Sequence, residues 1–95
     1  MYQESNNPRE IVPNAEKFVD QVSKQSKHYN AEDWQVVVNQ FVCMGKDFWG
    51  NKNLLTENEI MRFDYARLEF MAAIDKNGNE DITAQVKKLY GELAQ

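Results

Sequence analysis

The chain has a single cysteine, a single histidine, two prolines and four glycines. With Cys43 alone no internal disulfide forms, so the fold must be held by packing rather than by covalent staples. So little Gly and Pro disfavours a turn-rich β-sandwich or a collagen-like chain and leaves long uninterrupted helices as the natural outcome. No apolar run approaches the ~20 residues that span a bilayer; the one around Cys43 is Phe41 to Met44. Met1 to Val12 is mostly polar and lacks the apolar centre of a signal peptide. There is no His-x-x-x-His zinc pair, no Gly-rich phosphate loop and no nucleophile elbow.

What is present suffices for one small domain. The 95 residues leave no room for a second core, since domains usually hold roughly 100–150 residues. Hydrophobic residues make up 42% of the chain and aromatics 12%, well above the content of chains that stay disordered. Fifteen acidic side chains outnumber eleven basic ones, and the resulting net charge of −4 repels phosphate backbones. The basic cluster Lys17, Lys24, Lys27 and His28 has Glu16 and Asp20 interleaved with it and reads as a solvated face, so no nucleic-acid partner is expected.

Periodicity supplies the architecture. Residues 1–13 are rich in Asn, Gln, Glu and Pro and read as a flexible polar tail or tether, with residues 14–95 as a single bundle domain. Asn14 is the expected cap of a first helix over Asn14–His28, in which Ala15, Phe18, Val19 and Val22 share a face. Asn30 caps the second helix, whose stripe runs Trp34, Val37, Val38, Phe41, Val42, Gly45, Phe48 and Trp49, with Gly50 placed to end it in the left-handed conformation. Thr56 and Glu59 form a capping box for the third helix, and Leu55 and Ile60 the hydrophobic staple beside it. Asp81 is the expected cap of a last helix that carries Ile82, Val86, Leu89, Tyr90 and Leu93 on one face. Short loops and no alternating strand pattern predict an all-α antiparallel bundle of four helices, three longer and one shorter at the C-terminus.

The third helix is apolar on two faces. Phe63, Ala66, Phe70, Ala73 and Ile74 form one arc, and Met61, Tyr65, Leu68 and Ala72 form another. The second arc has two readings: it packs under a neighbouring helix, or it is a possible interface that docks a protein partner or a second copy of the chain. Chemistry is sparser. Asp75, Asn77 and Asn79 fall at the first three side-chain positions of an EF-hand loop, with Asp81 and Thr83 at the seventh and ninth, which makes a weak calcium site the alternative reading of this segment. Glu80 stands where such a loop needs Gly, and Val86 where it needs a bidentate Glu, so a polar connection between helices is the simpler account and no metal or other cofactor is expected. His28 and Cys43 share no local catalytic motif, and Trp34 and Trp49 read as core anchors, so the chain is not expected to be an enzyme.

Tyr29 leading into a capped helix with Glu32, Asp33 and Trp34, and Leu55, Thr56, Glu57 and Glu59 leading into Tyr65, Ala66 and Arg67, resemble small helical envelope lipoproteins of unknown function from Bacteroides-like bacteria. That resemblance implies a periplasmic or outer-membrane-tethered protein, joined to the membrane only through a lipid anchor lost with its signal. It carries no catalytic or binding residue. The expected function is a non-catalytic helical interaction or structural module, exported from the cytoplasm, with the calcium module and a cytosolic adaptor or regulator as alternatives.

Overall fold

A computed structural model describes residues 7–93, all but a few of them in four helices: α1 Pro8–Gln25, α2 Ala31–Asn51, α3 Glu57–Asn77 and α4 Glu80–Leu93. Short 3-10 turns, Ser26–His28 and Lys52–Leu54, bridge α1 to α2 and α2 to α3. The all-α bundle is as expected, and so are two of its helix starts. Asn30 and Asp33 exchange side-chain and backbone hydrogen bonds in a reciprocal box at the start of α2, and Thr56 and Glu59 do the same for α3. Leu55 and Ile60 of the expected staple are half-buried and pack against the core.

Four expectations need correction. The first helix begins at Pro8, not Asn14: the Asn7 side chain accepts a hydrogen bond from the Arg9 backbone N–H at 2.9 Å, and Pro8 sits where a missing N–H costs nothing. Pro13 is carried inside the helix. An interior proline costs about 3 kcal/mol, but the helix through it buries Ile11 and Val12 completely, at roughly 1.5–3 kcal/mol for each side chain. Burial wins, and residues 8–13 belong to the bundle rather than to a tail. The first six residues of the expected tail lie outside the described residues.

The second helix runs through Gly50 to Asn51, whose side-chain amide donates to the Asp47 carbonyl at 2.8 Å and so satisfies a carbonyl of the last turn. None of the described glycines has a positive φ. Asn79, not Asp81, caps α4, its side-chain oxygen accepting from the Ile82 N–H at 2.9 Å. The fourth correction concerns the second arc of α3, which is exposed rather than packed under a neighbour.

Ring contacts fix the directions of the helices. Phe48 stacks on Phe63 with centroids 4.0 Å apart, and Phe41 stacks on Phe70 at 4.2 Å, so α2 runs antiparallel to α3. Arg9 meets Glu59 near the starts of α1 and α3, and Ser26 meets Asn77 near their ends, so these two run parallel. The most extensive backbone packing is between α1 and α3 and between α2 and α4. Buried alanines on both members of the first pair, Ala15 on α1 and Ala66 and Ala73 on α3, suit that closeness. The result is two layers of parallel helices, with large rings filling the space between them.

Candidate functional site

Every neighbour of α3 approaches from one side. At ~100° per residue, Phe63, Ala66, Phe70, Ala73 and Ile74 point inward and are buried, while Met61, Tyr65, Leu68 and Ala72 point the opposite way. Met61 is 52% exposed, Tyr65 63% and Leu68 49%. Their spacing of four, three and four residues sets them in one line about 16 Å long at 1.5 Å per residue. Scattered exposed apolar residues are ordinary on a protein surface; several aligned along one helix make a patch, which marks contact sites.

Charge frames the line. Glu57, Glu69 and Asp75 are exposed and without an ion-pair partner among the described residues; Asp64, on the same outward half, is bridged by Arg67 at 2.8 Å. Arg62 turns toward α1 and binds Glu16 through two hydrogen bonds, which hold the guanidinium even more firmly protonated than usual. Lys76 is the only unpaired cation of α3. The outward surface of this helix is therefore apolar along its crest and acidic at its margins.

A cleft of about 400 Å³ opens beside Met61, where α2 ends, α3 begins and α4 passes. Its apolar walls are Phe48, Trp49, Ile60, Met61, Phe63 and Tyr90. Two cations already cover its rings: the Lys52 ammonium sits 4.5 Å from the Trp49 ring centre, and the Arg67 guanidinium 6.0 Å from that of Tyr90. Burial raises the Tyr90 phenol above its usual pKa, against the opposing pull of the Trp49 indole and the Arg67 charge. The Trp49 indole N–H is enclosed beside the Tyr90 phenol but outside good hydrogen-bonding geometry to it, and the Trp34 indole N–H is enclosed with no acceptor among the described residues. Trp34 is the core anchor its stripe predicts, edge-on to Tyr29 at 5.1 Å. Trp49 is only half-buried and forms a wall of the cleft. Nothing in the periodicity of either helix foretold this cleft, because it needs the ends of three helices to meet.

The start of α3 is tied by several side-chain hydrogen bonds. One Glu59 oxygen accepts from the Thr56 N–H at 2.9 Å and from Arg9 at 2.6 Å, while the other arm of Arg9 donates to the Leu54 carbonyl. Those contacts, the Thr56 backbone first, hold the Glu59 carboxyl below its ordinary pKa. Arg9 falls within the 1–13 segment that reads as a polar tail, so no site motif marks its role. Asn7 followed by Pro8, a cap residue before a first-turn proline, was the signal that would have found it.

The other candidates are dispersed. Asp75 and Asn77 lie in the last turn of α3, and Asn77 donates to the buried Ser26 hydroxyl at 2.9 Å. Asn79 is occupied with capping α4, and the Thr83 hydroxyl donates to the Asn79 carbonyl at 3.1 Å. Asp81 is exposed in the first turn of α4. The segment is thus the end of one helix and the start of the next, not a loop wound about a centre. No group of three or more His, Cys, Asp and Glu side chains is placed to share a metal ion among the described residues. His28 is exposed on the first 3-10 turn, whereas Cys43 is half-buried about 18 Å along α2 from its start at the helical rise. Lys17, Lys24 and Lys27 are exposed, with Lys24 bound to Asp20 at 2.9 Å. No helix among the described residues is long and apolar enough to cross a membrane.

No family profile, curated protein or solved structure matches the chain.

Proposed function

We propose that this protein is a non-catalytic helical interaction module that docks another protein along the outward face of α3. One observation carries the reading: Met61, Tyr65 and Leu68 stay about half exposed or more, in line, on the side of α3 opposite its buried arc. A helix of a small domain that only had to bury its inner face would be polar on that side. Keeping three large apolar groups in water there costs solubility, which a partner's contact offsets.

The resemblance to small envelope lipoproteins adds an exported, membrane-tethered location to the same reading. That part requires a signal peptide ending in Cys in the coding sequence upstream of Tyr2, and its absence there would remove it.

The docking surface is tested by placing a photo-crosslinking amino acid at Tyr65 and, as a control, at Lys17 on α1. A defined adduct at Tyr65, competed away by purified unmodified protein but not by Leu68→Asp, is the expected result. Equal labelling from both positions, or equal competition by the Asp variant, would dismiss the reading.

A further inference from the structure

The outward face of α3 also indicates what kind of partner it takes. Resting on the docking reading above, we infer that the occupant is an amphipathic helix with basic flanks, which lays its apolar side along Met61–Ala72 and inserts one bulky apolar side chain into the cleft between Trp49 and Tyr90.

Shape comes first. A line of apolar groups at steps of four, three and four residues, about 16 Å long, matches roughly three turns of a partner helix reading at i, i+3, i+4 and i+7. The cleft adjoins this line at Met61, which belongs to both. Anchors of this kind, an apolar side chain closed in a pocket beside a shallower strip, carry most of the energy of helix docking.

Charge then selects the occupant. The free charges of α3's outward half are the carboxylates Glu57, Glu69 and Asp75 against Lys76, while Arg62 and Arg67 are engaged by Glu16 and Asp64. A second copy of the chain brings the same excess of carboxylates, and an anionic lipid surface is repelled by it. A helix with Lys or Arg beside its apolar stripe is complementary. Those cations belong at the margins and not in the cleft, because Lys52 and Arg67 already occupy the faces of Trp49 and Tyr90. The cleft is left for a neutral, bulky group.

The experiment titrates the isotopically labelled full chain with three synthetic helical peptides that share one Leu and Phe face and differ only in flanks of Lys, Gln or Glu. The Lys-flanked peptide is expected to saturate and to move the amides of Met61, Leu68 and Tyr90. Its affinity should fall about tenfold in the triple variant Glu57→Gln, Glu69→Gln, Asp75→Asn, and by a similar factor on going from low to high salt. Replacing the central Phe of the peptide by Ala should abolish the Tyr90 shift. Equal binding by the Glu-flanked peptide, or an unchanged affinity in the triple variant, would overturn the basic partner while leaving the docking reading intact. A Tyr90 amide that never moves overturns the anchor. If none of the peptides shifts an α3 amide at millimolar concentration the inference fails, and the crosslinking result still judges the docking surface separately. Co-sedimentation with vesicles of anionic lipid, blocked by Leu68→Asp, would assign the face to a membrane instead.

Discussion

The two apolar faces of α3 are made from similar residue types in similar number, yet the bundle treats them in opposite ways. The inner face has Phe70, fully buried between Phe18 and Phe41, and Phe63 stacked on Phe48. The outer face has Met61, Tyr65 and Leu68 in water. Apolar character does not separate them; the placing of large rings and small residues does. The inner arc alternates large Phe with Ala66 and Ala73, so that one neighbour packs rings while another comes close to the backbone. The outer arc carries Met61, Tyr65 and Leu68 with one alanine, Ala72, at its end, and among the described residues nothing in the bundle packs over them.

The sharpest way to break this comparison is to truncate one residue on each face. Phe70→Ala removes a ring with no exposure and two aromatic neighbours, and should cost about 3–5 kcal/mol. Leu68→Ala should stay within about 0.5 kcal/mol of the parent. Both are read from the midpoint of urea unfolding at an unchanged slope. Equal losses at the two sites would mean that the outer face is covered within the monomer.

Next in size is the end of the same helix. Gly78 follows α3 with a φ of −91°, so its necessity is steric rather than conformational: a Cβ there would lie 2.8 Å from the Ile74 carbonyl oxygen. Gly78→Ala should cost about 1–3 kcal/mol. Gly50 makes the internal control, because a Cβ at that position meets nothing within 4 Å and the residue lies inside α2, where Ala is the better helix former. Gly50→Ala should be neutral or stabilising, by up to about 1 kcal/mol. Thermal midpoints of the pair moving in opposite directions would show that the one glycine is required by contact and the other is not.

How much of this was legible beforehand follows from what sequence pattern encodes. Local signals are legible: the Thr56–Glu59 box lies within one turn, and the helical stripe that starts at Trp34 buries Val37, Val38, Phe41, Gly45 and Phe48, whereas its members Val42 and Trp49 are only half-buried and the fully buried Met44 lies outside it. The first helix starts ahead of Asn14 because the Asn7 cap, Pro8 in the first turn and the buried Ile11 and Val12 outweigh Pro13 and the polar composition of the lead: burial, not propensity, decides there. The two-faced nature of α3 was plain, but which face was covered was not, since that depends on α1 and α2 approaching from one side. The cleft between Trp49 and Tyr90 lay beyond pattern for the same reason: it joins positions 41 residues apart whose only relation is tertiary.

The start of α3 offers a pH-dependent test. Glu59 has its pKa lowered in the folded chain, chiefly by the Thr56 backbone N–H. A lowered folded pKa gives stability that is complete above the unfolded value, near 4.3 for a glutamate, and is lost as the pH falls through the folded value. Parent protein should therefore lose stability below about pH 5 more steeply than Glu59→Gln. The two stability curves should converge in acid. A constant offset from pH 7 down to pH 3 would show that Glu59 acts by packing alone and not through its charge.

The smallest effect on folding belongs to the outer face, where it carries the most functional weight. Tyr65→Ser and Leu68→Asp each replace an exposed apolar group that makes no aromatic, hydrogen-bonding or ionic contact within the described residues. Each should leave the unfolding midpoint within about 0.5 kcal/mol of the parent. If these groups contributed to the bundle as Phe63 and Phe70 do, both substitutions would destabilise it, and loss of docking would be indistinguishable from loss of fold. Because they do not, the same variants that preserve the midpoint should abolish crosslinking at α3. That dissociation separates a face kept for binding from one kept for folding: on the inner arc every change in contact registers as stability, and on the outer arc it registers only when a partner is present.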